Sequence, residues 1–163
     1  HIVLIDVFAI SAGFVLRAVA GATVLQVPIS PWLYICTALG ALLIALSKRR
    51  SELVLAGNDA GRQRDTLGHY TTSLIDQLIA IVAPSTLLVY ILYTFTAFNV
   101  PENQAMMLTI PFVAYGLFRY IYLVHVKVLG ENPEDILVSD MPLITSIALW
   151  LATAATVLVV FRS

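Results

Sequence analysis

The densest group of charged side chains follows an apolar run. Three cations, Lys48, Arg49 and Arg50, are followed by the acid Glu52. If this segment is helical, Lys48 and Arg49 share a face with Glu52, at i,i+4 and i,i+3 spacing. Arginine offers phosphate oxygens a planar fork, and lysine offers a compact charge. The group therefore predicts either a phosphate-binding site or the cationic stop that follows membrane spans on their cytoplasmic side.

Two more charged residues lie inside the first apolar run. Asp6 and Arg17 are about three helical turns apart, so they leave one side of a helix. Gly13 and Gly21 lie near that face and would let a helix or ligand approach closely. Charges inside a membrane span are costly and usually functional. We expect Asp6 and Arg17 to face a bundle interior, either as ligand-binding residues or in a structural salt bridge with a neighbouring helix.

The remaining polar groups have both structural and functional interpretations. Arg62 and Tyr70 lie in the same long loop as the cationic group, and long loops are usually functional or disordered. Arg119 has tyrosines around it, which is typical of an anchoring belt near the headgroups. An acidic loop over 130–136 favours a turn, and its spacing demands no metal. His125 has no partner at metal-ligand spacing and is not expected to bind a metal.

Composition places these groups in a membrane. The 163 residues are 60% hydrophobic and 12% charged, with mean hydropathy +0.90. Soluble domains carry about 25% charged residues. The apolar runs lack the alternation of barrel strands, so we predict an all-α, multispan transmembrane bundle of about five helices. The predicted segments are A, Ile2–Leu25; B, Pro31–Leu46; C, Thr72–Phe98; D, Ala105–Val126; and E, Met141–Phe161.

Local signals refine these segments. B is short for a span, so we expect it to end within the headgroup region. Pro84 in C and Pro111 in D predict kinks. The connection between B and C carries most of the cations and is predicted to be cytoplasmic. Alternation places the D–E connection and the start of A on the same side.

The polar positions together resemble the decaprenyl-phosphate phosphoribosyltransferase branch of the UbiA prenyltransferase superfamily. The resemblance covers essentially the whole chain, and the Lys-Arg-x-x-Glu-Leu motif is specific to this branch. Other members have an aspartate-rich motif at that place. The motifs are Asp6 with Arg17-Ala18-x-Ala20-Gly21, Trp32, Lys48-Arg49-x-x-Glu52-Leu53, Arg62, Leu67-x-x-Tyr70, and Gly130 to Ile136 with Asp140.

The resemblance implies that residues 1–163 are the C-terminal part of a single prenyltransferase-type domain of nine helices. The family's first aspartate-rich motif, which binds magnesium diphosphate, would then lie upstream. The main metal ligands are expected there, and the fragment is expected to be inactive alone. The implied location is the plasma membrane, with the active site facing the cytoplasm.

The implied reaction moves 5-phosphoribose from phosphoribosyl pyrophosphate to a polyprenyl phosphate, releasing diphosphate, with Mg²⁺ as cofactor. In actinobacteria the product is an early precursor of cell-wall arabinan. Membrane lipids are expected partners and nucleic acid is not, and a homo-oligomer is left open. The resemblance assigns catalytic roles to Lys48, Arg49 and Glu52. It assigns substrate-binding roles to four further residues: Asp6, Arg17, Arg62 and Tyr70.

The resemblance implies a role for each of these residues that fits the chemistry of the reaction. Lys48 and Arg49 would bind the sugar diphosphate, and Glu52 would orient one of them or reach a metal through water. Arg17 would bind a phosphate at the bottom of the cavity, with Asp6 nearer its mouth. Apolar walls from A, B and D would guide the polyprenyl tail.

Two alternatives stay open. Another UbiA-type enzyme, which prenylates an aromatic or haem acceptor, would need an aspartate pair where Lys48 to Glu52 stands. A transporter half or a non-enzymatic scaffold is a different class. A transporter should show repeated halves with broken helices at matched positions, and the sequence shows none.

Overall fold

The computed structural model describes residues 4–24, 30–56, 71–97, 100–126, 135 and 138–161. These residues form five α-helices and a short 3-10 helix, and no strand occurs among them. The all-α prediction is confirmed. The helices are α1, Ile5–Val24; α2, Pro31–Ala56; α3, Thr72–Thr96; α4, Ile110–Val126; and α5, Met141–Val160, with the 3-10 helix at Ala105–Thr109.

All five helical segments are long and apolar enough to cross a membrane, α4 together with its 3-10 turn. A rise of 1.5 Å per residue makes a helix of about 20 residues match a hydrocarbon core of about 30 Å. Large apolar side chains cover the outer faces, among them Leu16, Ile81, Leu88 and Phe118. In water such a surface would be unfavourable, whereas lipid solvates it. The chain is a multi-pass membrane protein.

α2 is longer than predicted. The helix does not end at Leu46 but continues through the cationic group to Ala56. The expectation of a short span was wrong because charged residues were taken as a helix end. Lysine, arginine, glutamate and leucine are good helix formers, so a helix continues through them beyond an apolar core. Lys48, Arg49 and Glu52 therefore stand on a regular helix.

The two internal prolines behave differently. Pro84 lies inside α3, as predicted. Pro111 is the second residue of α4, where its missing N–H removes no hydrogen bond of that helix, and the kink predicted within segment D stays a prediction. The preceding residues instead form the 3-10 helix, which begins after Gln104 in a left-handed conformation with φ of 58°.

α2 packs most extensively against α3 and next against α1, while α4 pairs with α5. One apolar core joins α2, α3 and α4 around Leu46, Ile75 and Leu123. A second core at the other end includes Tyr90 and Trp150. The two cores fix the helices at both ends.

The helix ends next to the two polar connections lie together. The end of α2 contacts the starts of α1 and α3, through Asp6 and Asp76, and also the end of α4, through Val124. The connections 57–70 and 127–134 are outside the described residues. The prediction that they leave from one end of the bundle is confirmed by the helix ends.

Candidate functional site

Arg49 is the centre of the charge cluster at this end. Its Nε donates to Oδ2 of Asp6 at 2.6 Å, and its Nη1 donates to Glu52. The side chain is only 5% exposed. Two carboxylates around one guanidinium compensate the loss of hydration that burial causes. The Asp6–Arg49 contact thereby connects α1 to α2 across 43 positions of sequence.

This geometry decides part of the sequence interpretation. Asp6 faces the bundle interior as predicted, and it forms the structural salt bridge that had been one of two alternatives. Glu52 orients Arg49, which agrees with the i,i+3 expectation. A guanidinium has five N–H donors, so three remain for a phosphate beyond the two hydrogen bonds described. The catalytic and binding roles of these residues stay predictions.

Arg50 forms a second cluster on another side of α2. Its Nε donates to Oδ1 of Asp76 at 2.7 Å, and its Nη1 donates to the Val124 carbonyl at 3.1 Å. The side chain is 13% exposed. Because α2 continues beyond Leu46, Arg50 lies at the contact between α3 and α4, where it donates to Asp76 and to the Val124 carbonyl.

His125 completes this second cluster. Its Nε2 lies 3.2 Å from Oδ1 of Asp76, and its Nδ1 lies 2.9 Å from the Ile121 carbonyl. The two ring nitrogens thus contact two different helical positions, a backbone carbonyl one turn back on α4 and a carboxylate on α3. Sequence reasoning missed this cluster. The sequence did contain one indication of it. Asp76 is the only acid in the apolar segment C, and a charged residue inside a membrane span usually has a partner or a function.

Arg17 does not face the interior of the described bundle. Its side chain is exposed, and the contact described for it is with the Phe14 ring, 5.6 Å from Cζ to the ring centroid. Within the described residues α1 packs mainly against α2 and buries only Val7 and Ser11, so the interior orientation of Arg17 stays a prediction. A Cβ at Gly13 or Gly21 would meet no described atom within 4 Å. The phosphate-binding role of Arg17 is untested.

Of the other predicted site residues, two lie outside the described residues and one, Lys48, lies on α2. Arg62 and Tyr70 fall in 57–70, which the structure does not describe. Lys48 is half-buried, one residue before Arg49 on α2. The structure thus brings Lys48, Arg49, Glu52 and Asp6 to one end of the bundle.

Arg119 joins two helices rather than standing as an isolated anchor. Its Nε and Nη2 donate to the two carboxylate oxygens of Asp140, at 3.0 and 2.9 Å. Its Cζ also lies 5.3 Å from the centroid of the Tyr122 ring. Asp140 accepts a hydrogen bond from the Leu143 N–H at 3.0 Å and so caps α5. The pair connects α4 to the start of α5.

No group of three His, Cys, Asp or Glu residues suited to a metal ion occurs among the described residues. Asp6 and Glu52 are both bound to Arg49. The described carboxylates therefore do not form a magnesium site of their own.

An apolar cavity of about 260 Å³ lies between α2, α4 and α5. We had expected apolar walls from segments A, B and D. The walls of this cavity come from B, D and E, because α4 and α5 pair closely while α1 packs on another side of α2. The lining residues include Gly40, Leu43, Gly116, Tyr120, Leu143 and Trp150.

No protein-family model matches the chain. Curated proteins do. The chain is 28% identical over 162 residues to the decaprenyl-phosphate phosphoribosyltransferase of Mycolicibacterium smegmatis, with 94% of this chain and 50% of that protein covered. The protein of that name from Mycobacterium tuberculosis is 29% identical over 153 residues, with the same coverage. The chain is similar to decaprenyl-phosphate phosphoribosyltransferases.

A third decaprenyl-phosphate phosphoribosyltransferase, from Corynebacterium glutamicum, is 26% identical over 141 residues, with 86% of this chain and 42% of that protein covered. The resemblance inferred from the motifs is confirmed. The chain spans about half the length of the curated relatives it matches.

Proposed function

We propose that this chain is part of a membrane transferase that moves 5-phosphoribose from phosphoribosyl pyrophosphate to a polyprenyl phosphate. One observation carries the proposal. The Lys48–Glu52 turn, with Arg49 held by Asp6, stands at the polar end of a membrane bundle that also contains an apolar cavity. A cationic site suits a sugar diphosphate, and an apolar cavity suits a lipid. The names of the relatives support the same substrates.

The proposed reaction needs charge stabilisation more than proton transfer. An oxygen of the polyprenyl phosphate forms a bond to the anomeric carbon of the ribose. The bond from that carbon to the diphosphate breaks, and the diphosphate leaves with the electron pair. The attacking phosphate is already ionised near neutral pH, so no strong general base is required. Cations that face the leaving oxygens lower the barrier, and Lys48 has this role, with Arg49 behind it.

Magnesium belongs to the proposal only through the family resemblance. When bound, it would neutralise charge on the diphosphate. The described carboxylates do not form a set for it, since Asp6 and Glu52 are engaged by Arg49.

The remaining parts of the proposal concern place and product. The cationic end of the bundle would face the cytoplasm of the plasma membrane, because cationic segments are retained there. The apolar cavity would receive part of the polyprenyl tail. The product would serve the synthesis of cell-wall arabinan. The chain on its own, without further helices, would be inactive.

The direct test uses full-length protein in membranes, with phosphoribosyl pyrophosphate labelled in the ribose. We expect label in the organic extract only when decaprenyl phosphate and magnesium are supplied. Supplying a prenyl diphosphate with an aromatic acceptor tests the alternative enzyme class. Transfer of the prenyl group to that acceptor, without labelled lipid in the first assay, would overturn the proposal.

A further inference from the structure

The cationic turn of α2 is held from two directions. Arg49 bonds to Asp6 on α1, while the next residue, Arg50, bonds to Asp76 on α3 and to the Val124 carbonyl on α4. Successive residues leave a helix about 100° apart, so the two arginines necessarily point to different neighbours. Together these contacts restrain rotation of α2 about its axis.

The contacts on the Arg50 side oppose such a rotation. Oδ1 of Asp76 accepts a hydrogen bond from Arg50 Nε at 2.7 Å and lies 3.2 Å from His125 Nε2, so three helices meet at a single atom. Hydrogen bonds between charged groups are about twice as strong as neutral ones. The Arg50 side chain is largely shielded from solvent, so loss of its partner would leave a charge without compensation.

We propose that Arg50, Asp76 and His125 form a positioning network, which sets the rotation of α2 and so aims Lys48 at the substrate. This inference rests on the proposed function, because Lys48 is the cation assigned to the diphosphate. Lys48 leaves the helix about 200° from Arg50, so it points away from the network. The three network residues act on the reaction through Lys48 without touching substrate.

The size of the effect follows from geometry. A side-chain tip at about 6 Å from the helix axis moves about 1 Å when the helix rotates by about 10°. A displacement of about 1 Å at a reacting centre lowers a rate by about 100-fold. Substituting Asp76 should therefore lower kcat without removing any group that binds substrate.

The Arg119–Asp140 pair supplies a matched control. It is also a charged contact between helices, with both carboxylate oxygens engaged at 2.9 to 3.0 Å, but the hydrogen bonds described for it join α4 to the start of α5 and not to α2. Arg119→Gln should cost stability, as Asp76→Asn does, but should leave Lys48 in place.

The first measurement reports on position alone. In the full-length protein with its native cysteines replaced, including Cys36→Ser, Lys48→Cys is introduced and its modification rate by a charged thiol reagent is measured. We expect Asp76→Asn to change this rate several-fold and Arg119→Gln to leave it unchanged. An unchanged rate with Asp76→Asn overturns the proposal, whatever the protein catalyses.

The second measurement is steady-state diphosphate release, with Lys48 intact. Asp76→Asn should lower kcat by about 10- to 100-fold, while KM for phosphoribosyl pyrophosphate changes less than about threefold. Arg50→Lys, which keeps the charge, should lie between Asp76→Asn and the wild type. If Asp76→Asn does not fold, Arg50→Lys is taken through both measurements.

The two measurements separate the two proposals. A wild-type protein that releases no diphosphate contradicts the proposed function, and the modification rate then still decides whether the network holds the turn. An active wild type whose kcat is unaffected by Asp76→Asn overturns the positioning role. Equal losses of kcat in Asp76→Asn and Arg119→Gln overturn it as well, since the effect would then be general destabilisation.

Discussion

Asp6 and Arg49 form a direct salt bridge, 2.6 Å from Oδ2 to Nε, between the first turn of α1 and the cationic turn of α2. The Arg49 side chain is only 5% exposed, so its charge needs a compensating carboxylate. The pair fixes α1 against α2 at the end where the candidate site lies. A residue that had looked like a substrate ligand in the sequence therefore also has a structural partner.

The first prediction concerns the strength of this pair. Asp6→Asn and Arg49→Gln should each lower the free energy of unfolding in detergent. The double variant should lose less than the sum of the two, with a coupling of about 0.5–3 kcal/mol. Denaturant titration of the four proteins measures it. Additive losses would show that the two side chains do not interact in the folded protein.

The second prediction separates the two functions of Asp140. Asp140→Asn keeps an oxygen that can accept from the Leu143 N–H but loses the charge opposite Arg119. Asp140→Ala loses both. Since an N-cap is worth about 0.5–2 kcal/mol, the alanine variant should have the lower thermal midpoint. Equal midpoints in thermal unfolding would mean that the cap contributes nothing.

Much of the fold could be predicted from sequence, because an apolar run long enough to cross a membrane directly indicates a membrane-spanning helix. Segments A, C and E agree with α1, α3 and α5 to within a few residues. Segment B was predicted to end at Leu46, whereas α2 continues to Ala56, because the charged residues after Leu46 were taken to mark the end of the helix. Hydropathy marks where a span leaves lipid, but backbone propensity decides where the helix stops.

The site was predictable only in part. The salt bridge between Arg49 and Glu52 follows from i,i+3 spacing on one helix, so it could be predicted from neighbouring residues alone. The contacts of Arg50 with Asp76 and of Asp76 with His125 join residues 26 and 49 positions apart, and no periodicity in one chain reveals them. The surroundings of Arg17 could not be predicted, because helical spacing gives the side of α1 on which a residue lies but not which neighbour covers that side.

The third prediction concerns the apolar cavity. A Cβ at Gly116 would stand 3.8 Å from Leu143 Cδ1 and 3.9 Å from Ser146 Oγ, which is ordinary contact. Gly116→Ala should therefore be tolerated and serves as the control. Gly116→Leu should fill the cavity, while the helix itself gains about 1 kcal/mol from losing a glycine.

If the cavity receives the polyprenyl tail, Gly116→Leu should raise KM for decaprenyl phosphate more than KM for a short-chain polyprenyl phosphate. Steady-state transfer with the two acceptors measures the ratio. An unchanged ratio, from a protein that is folded and active, would show that the tail lies elsewhere.

The central claim is that the cationic turn of α2 is a catalytic site and not only a topological anchor, and Lys48→Ala tests it most directly. In full-length protein, diphosphate release from phosphoribosyl pyrophosphate is measured with polyprenyl phosphate and magnesium, alongside thermal unfolding. We expect Lys48→Ala to lose about 100- to 1,000-fold in rate while the protein remains folded, because one donor to developing charge is removed. A folded Lys48→Ala protein with near wild-type diphosphate release would contradict the account.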